Sequence, residues 1–161
     1  MTGYFDAAPR PLRPGESEAV RGFVWAALGV TPYVDRVAEL LDAAEHADPE
    51  SRALVIERDG TIASLALFGP VAGAVGAWHL YMVLVAPRLE LKEVGRAMID
   101  AVVNAVRREG GRLLVAELPA DAALGRTLTL LRACEFRQEG RIPDYFRDGV
   151  AVLFLRRDVG A

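Results

Sequence analysis

Cysteine is all but missing from this chain. Cys134 stands alone among 161 residues, so neither an internal disulfide nor a cysteine-built zinc site is expected. With no histidine near it in sequence, Cys134 reads as a small buried hydrophobe rather than a nucleophile. Long apolar runs are missing as well, none approaching the roughly 18–20 residues that span a bilayer. The first residues hold no basic stretch followed by an apolar core, so no secretory leader is expected. Together these absences point to a cytoplasmic protein with no membrane partner. An excess of positive charge is also lacking: 19 Lys and Arg stand against 22 Asp and Glu, a net charge of −3. A surface that neutralises phosphates needs the opposite balance, so nucleic acid is not an expected partner. Repeats and low-complexity segments are absent.

What is present is a globular composition, 52% hydrophobic and 25% charged, at a length that suits one domain. Residues 1–9 read as a loose N-terminal arm and residues 10–158 as the domain. Pro9, Pro11 and Pro14 allow Arg10 to Arg13 only an edge strand. Val20, Phe23, Val24, Ala27 and Leu28 form one stripe of a helix over Glu16 to Leu28. Thr31-Pro32 predicts the start of a second helix, with Thr31 as its cap, carrying Val34, Val37, Leu40 and Leu41 inward and ending before Asp48-Pro49.

Beyond Ser51 the pattern turns to strands. Ala53 to Arg58 and Thr61 to Phe68 flank Asp59-Gly60, a two-residue hairpin signal. Trp78 to Val85 predicts a central strand, followed by a loop and a helix over Val94 to Arg108. Gly110-Gly111 ends that helix. A nearly all-apolar strand follows over Arg112 to Leu118, then a helix over Leu124 to Ala133. The chain closes with a hairpin, Phe136 to Phe146 and Val150 to Arg157, turning at Asp148-Gly149. The order β-α-α-β-β-β-α-β-α-β-β describes an α/β layer around a single mixed sheet. Its strand–loop–helix unit, Ala77 to Arg108, offers free backbone N–H groups and the positive end of a helix dipole to an anion.

This order resembles the GNAT-type N-acetyltransferase family over roughly Arg10 to Arg157. Trp78 to Pro87 (WHLYMVLVAP) is similar to the family's fourth strand and the Val-x-Pro that follows it. Gly95-Arg96-Ala97-Met98 is similar to the end of its phosphate loop. Leu131 to Arg157 is similar to its last helix, the aromatic after it and the terminal hairpin. The resemblance implies a single-domain GNAT-like mixed sheet and acetyl-CoA as cosubstrate, with no metal. It assigns Met82, Val83, Leu84 and Val85 to the pantetheine arm. Leu91, Lys92, Glu93, Val94, Gly95 and Arg96 fall to the phosphates. The first two helices, with Trp25 and Tyr33, would cover the acceptor.

The chain departs from the family at two places. The loop usually reads Gln/Arg-x-x-Gly-x-Gly/Ala, whereas here Glu90-Leu91-Lys92-Glu93-Val94-Gly95 keeps only Gly95. Two like charges about 4 Å apart repel by ~1 kcal/mol in water and ~4 kcal/mol at a partly buried site. In the last helix, Leu131 occupies the family's tyrosine position and Glu135 its glycine, with Phe136 retained. The usual proton donor is thus missing from its usual place. Tyr145 is the remaining acid candidate, against a half-buried strand aromatic. Glu117, the one acid of its strand, is a candidate base, against a strand-end carboxylate in water or paired with an arginine. His79 is a second candidate base, against a packed sheet histidine. Under strict alternation Tyr81 points the same way as His79.

Two function classes stay open on these residues. One is an acetyl-CoA-dependent N-acetyltransferase acting by direct transfer on a small-molecule or peptide amine, as a possible homodimer. The other is a binding or regulatory module of the same fold that has lost efficient acetyl-CoA binding.

Overall fold

The structure is a computed structural model and describes residues 8–160. The arm expected over residues 1–9 lies, through residue 7, outside the described residues. The chain runs β1 (Arg10–Pro11), α1 (Ser17–Leu28), α2 (Val34–Glu45), β2 (Arg52–Arg58), β3 (Thr61–Pro70), β4 (Ala77–Val85), α3 (Leu91–Arg108) and β5 (Leu113–Pro119). A 3-10 turn at Ala122–Leu124 then leads into α4 (Gly125–Ala133), β6 (Arg137–Arg147) and β7 (Val150–Asp158). Among the described residues one seven-stranded sheet takes the order β1-β2-β3-β4-β5-β7-β6, with β4 and β5 its only parallel neighbours.

Local chemistry accounts for most of this. At Asp59-Gly60 both residues adopt positive φ, 52° and 74°, the backbone that a two-residue hairpin demands. Val20, Val24 and Leu28 are buried at four-residue spacing on α1, and Val34, Val37, Leu40 and Leu41 on α2. Both helices pack on the β2–β4 part of the sheet, while α3 covers the opposite face and packs against α4. The core lies in these two seams, with Leu65, Leu67, Met98, Ile99, Leu114 and Leu155 fully buried.

Two helix starts differ from the sequence reading. α2 begins at Val34, with Tyr33 in the cap position, and not at Thr31-Pro32. Pro32 is spent on the turn out of α1, and the Thr31 hydroxyl is buried without a partner among the described residues instead of capping the helix. α3 starts at Leu91, three residues before the expected Val94, so Leu91, Lys92 and Glu93 are its first turn. The apolar stripe of α3 is what the periodicity detects; an exposed first turn adds little to it.

Candidate active site

β4 and β5 pair only at Ala77↔Leu113, Trp78↔Leu114 and His79↔Val115. Beyond these β4 stays with β3 and β5 stays with β7, so the two strands splay apart. A β-bulge marks the same place. Leu67 pairs with Met82 and Phe68 with Leu80, which leaves Tyr81 without a partner on β3. The extra residue reverses the alternation, so Met82 and Leu84 join the face of His79 while Trp78 and Leu80 lie on the other.

The backbone of β4 past the bulge has a definite polarity. The Ala86 N–H bonds Ala63 O on β3 at 2.9 Å. By the alternation of an antiparallel ladder, Val83 and Val85 then aim their N–H and C=O groups at the open side. One of these acceptors is engaged from across the gap: the Thr127 hydroxyl on α4 donates to Val83 O at 3.1 Å. A cavity of about 40 Å³ remains between Leu28 of α1, Val83 to Val85, Leu91, and Arg126 to Thr127 and Leu130 of α4. There are also two larger grooves, of about 670 and 650 Å³, the second bordering the same β4–α3 loop at Ala86 to Arg88. One runs beside Pro11, Phe68 and Ala101, the other between Phe23, Ile62 and Pro87.

The open edge runs directly into α3. The first ladder bond of this helix joins the Val94 N–H to Glu90 O at 3.3 Å, so the N–H groups of Leu91, Lys92 and Glu93 have no intrahelical partner. Lys92 and Arg96 are exposed on the first two turns. Glu93 leans toward the β2–β3 hairpin, 3.9 Å from Arg58. Arg88 turns the same way and donates to the Thr61 hydroxyl at 2.9 Å. Arg126 does the reverse and reaches into the loop, where one Nη donates to Leu89 O at 3.3 Å and Ala86 O at 3.5 Å. Gly95, read from sequence as part of the phosphate loop, serves helix packing. A Cβ there would stand 2.5 Å from the Leu130 side chain.

The residues singled out for proton transfer are not gathered at one point. His79 stacks on Tyr81, ring centroids 5.4 Å apart. The Tyr81 hydroxyl donates to Glu50 O at 3.2 Å, and burial pushes its pKa up. Glu117 is exposed, because the alternation of β5 buries Leu114, Ala116 and Leu118 and turns the acid outward. It pairs across with Phe154 of β7 and makes no hydrogen bond or ion pair among the described residues. Parallel register sets Val115 opposite His79, so Glu117, two residues on, shares the face of His79. Tyr145 is exposed on β6 and meets Phe146 edge to face, centroids 5.1 Å apart. Leu131 is buried in the core, as a leucine replacing a tyrosine permits. Cys134 is buried, and desolvation raises its pKa, which keeps the thiol protonated and inert.

One polar cluster escaped the sequence reading. The Tyr33 hydroxyl donates to Asp121 Oδ2 at 2.7 Å, and Arg147 donates to both, at 3.0 and 2.5 Å. Asp121 also accepts the Ala123 N–H at 2.9 Å. That bond, the Tyr33 hydroxyl and Arg147 together hold its carboxyl at a pKa of about 2. The cluster ties the α1–α2 turn to the end of β5 and to the β6–β7 hairpin. Asp before a helical turn is a readable capping signal. Its partners, distant along the chain, give none.

Among the described residues no group of His, Cys, Asp or Glu is arranged to hold a metal ion, and no helix is long and apolar enough to cross a membrane. The acetyltransferase (GNAT) family model matches residues 20–125. A GNAT-family protein from Desulfovibrio desulfuricans superposes with a TM-score of 0.85 at 28% identity, over 96% of this chain and 99% of that one. The yncA protein of Salmonella typhimurium, solved with acetyl-CoA, gives 0.73 at 18% identity, over 96% and 95%. The aminoglycoside 6'-N-acetyltransferase of Enterococcus faecium gives 0.75 at 11%, over 95% and 97%. The last two likenesses concern the fold alone. No curated protein sequence matches the chain.

Proposed function

Because this chain belongs to the GNAT acetyltransferase family, we propose that it transfers an acetyl group from acetyl-CoA to the amine of a small molecule or peptide. The observation that carries this reading is the splay of β4 from β5, which leaves the Val83 and Val85 backbone facing a gap that ends at the N-terminus of α3. The residues present fit the ligand. An extended arm with amide groups pairs with the Val83 N–H and with Val85 as part of a missing strand would, the Val83 carbonyl being already held by the Thr127 hydroxyl. The unbonded N–H groups of Leu91 to Glu93, with Lys92 beside them, suit a diphosphate. When bound, acetyl-CoA supplies the thioester. The chain orients it and handles protons.

In direct transfer the neutral amine nitrogen attacks the thioester carbonyl carbon, forming the C–N bond. The C–S bond breaks, the thiolate takes a proton, and the nitrogen gives one up. Glu117 and His79 share one face of the sheet, which supports reading them as the groups that draw in and deprotonate an ammonium. Tyr145 on the exposed hairpin is the proton donor in this reading. The Enterococcus neighbour is named for an aminoglycoside, an amine-bearing acceptor, which supports an amine here. The exposed β6, bearing Ile142, Tyr145 and Phe146, supports self-association.

Melting the protein with acetyl-CoA tests the binding step. At a hundredfold excess over Kd, linkage stabilises by ~2.7 kcal/mol, about 5–10 °C in Tm. Thiol release over a panel of amines then tests transfer. Absence of any melting shift at millimolar acetyl-CoA would sink the proposal.

A further inference from the structure

Glu90 at the cap of α3 and Glu93 in its first turn stand where the family pattern has a donor and a glycine, so Lys92 is the one cation of that turn against two carboxylates and a further positive charge for a diphosphate is wanted. We propose that it comes from α4: Arg126 is the diphosphate-binding cation of this site. The inference rests on the acetyl-CoA reading above and names a residue of that site outside the loop.

Three observations carry it. First, Arg126 is already aimed at the loop, with one Nη at 3.3 Å from Leu89 O and 3.5 Å from Ala86 O. A guanidinium has five N–H donors in a planar fork. Among the described residues only this one nitrogen is engaged, at the long end of hydrogen-bond range, so the fork has donors to spare for two phosphate oxygens. Second, Arg126 and Thr127 share the wall of the cavity with Val83, Val85 and Leu91, the residues that connect the open strand edge to the first turn of α3. A chain of atoms leaving that edge for the helix N-terminus passes the guanidinium. Third, the nearby charges are sorted. Glu93 is within 3.9 Å of Arg58 and Arg88 is bound to Thr61, both on the β2–β3 side. Arg126 stands on the α4 side, and Lys92 is the cation of the first turn.

Gly95 gives the arrangement its closeness. With no side chain at 95, Leu130 packs directly on α3, which brings Arg126, one turn earlier on α4, up to the loop. The same contact gives position 95 of α3 a packing reason to be glycine.

The test is titration calorimetry of the whole protein with acetyl-CoA, for the natural chain, R126Q and R126K, each checked for an unchanged melt. In parallel, acetyl-pantetheine, which has the thioester arm but no diphosphate, is titrated at millimolar concentration and followed by the amide NMR shifts of Val83 and Val85. R126Q is expected to weaken acetyl-CoA tenfold or more and to leave the acetyl-pantetheine response unchanged, with R126K in between. The salt dependence of acetyl-CoA affinity should also flatten in R126Q. Equal acetyl-CoA affinity in R126Q and the natural chain overturns the proposal. So does a parallel loss of both ligands, which marks Arg126 as a brace for the loop. Failure of the natural chain to bind either ligand overturns the acetyltransferase reading and this inference with it.

Discussion

From β1 to β4 the sheet is covered on both faces, by α1 and α2 on one and by α3 on the other, and β3 is buried from Ala63 to Gly69. From β5 to β6 the cover is partial, although β7 is buried from Val150 to Leu153. Glu117 and nearly all of β6 are exposed, with Ile142, Tyr145 and Phe146 open to solvent. The difference separates two tasks. The covered half fixes a backbone edge to which another chain of amides can be fitted, and that needs rigidity. The open half presents side chains to whatever arrives from solution, and that needs access. A sheet that opens where these halves meet serves both.

The contrast can be broken most severely from the covered half. Leu67→Ala on β3, fully buried, should cost ~2–5 kcal/mol in urea unfolding. Ile142→Ser on β6 should move stability by no more than about 0.5 kcal/mol. Equal effects would mean that the two halves are not distinct. Gly69→Ala comes next, because a Cβ there would stand 1.9 Å from Glu50 O and 3.2 Å from the Tyr81 ring. We expect ~1–3 kcal/mol from overpacking, together with loss of the Tyr81 to Glu50 bond.

The cluster that ties the halves together comes third. Asp121→Ala removes a cap and two side-chain partners, for about 1–2 kcal/mol. Its pH signature is specific. The folded pKa, about 2, lies below an unfolded value near 3.9. The contribution is therefore complete above pH ~4 and is lost as pH falls toward 2. The natural chain and the variant should converge in Tm across that window. The smallest effect is a gain. Glu135 adopts φ 67° after α4, and Glu135→Gly should raise stability by ~0.5–1 kcal/mol on thermal melting. Its ion pair with Arg157, 3.4 Å long on an exposed side chain, gives up little.

The parts legible in the sequence are those set by near neighbours. The two Asp-Gly hairpins, the stripes of α1 and α3, and the central strand follow from turn chemistry and periodicity. Glu135 belongs here too, since a helix end wants a residue tolerant of positive φ and the resemblance marked its position for glycine. The start of α3 was hidden by the loop expected over Leu91 to Glu93. The bulge at Tyr81 was hidden by the assumption of strict alternation, which an extra residue defeats. Arg126 reaching the loop, Glu93 turned toward Arg58, and Tyr33 joined to Asp121 and Arg147 all depend on tertiary placement, for which a single sequence carries no local mark. Glu117 illustrates the middle case. Its face could be counted along β5, but its exposure depends on what covers that face, and nothing there does.

The short junction of β4 with β5 has a mechanical consequence. From His79, where pairing stops, to Val85 is about 20 Å at ~3.3 Å per residue. Over that arm a change of about 5° in the angle between the strands moves the tip by roughly 1.7 Å, half a van der Waals diameter. The pivot is wedged by Gly111, where a Cβ would be 2.9 Å from the Trp78 ring and 2.8 Å from Val106 O. A single methyl at the fulcrum would thus be magnified into a misfit at the far end, which makes residue 111 the gauge of the jaw although it never touches what the jaw holds.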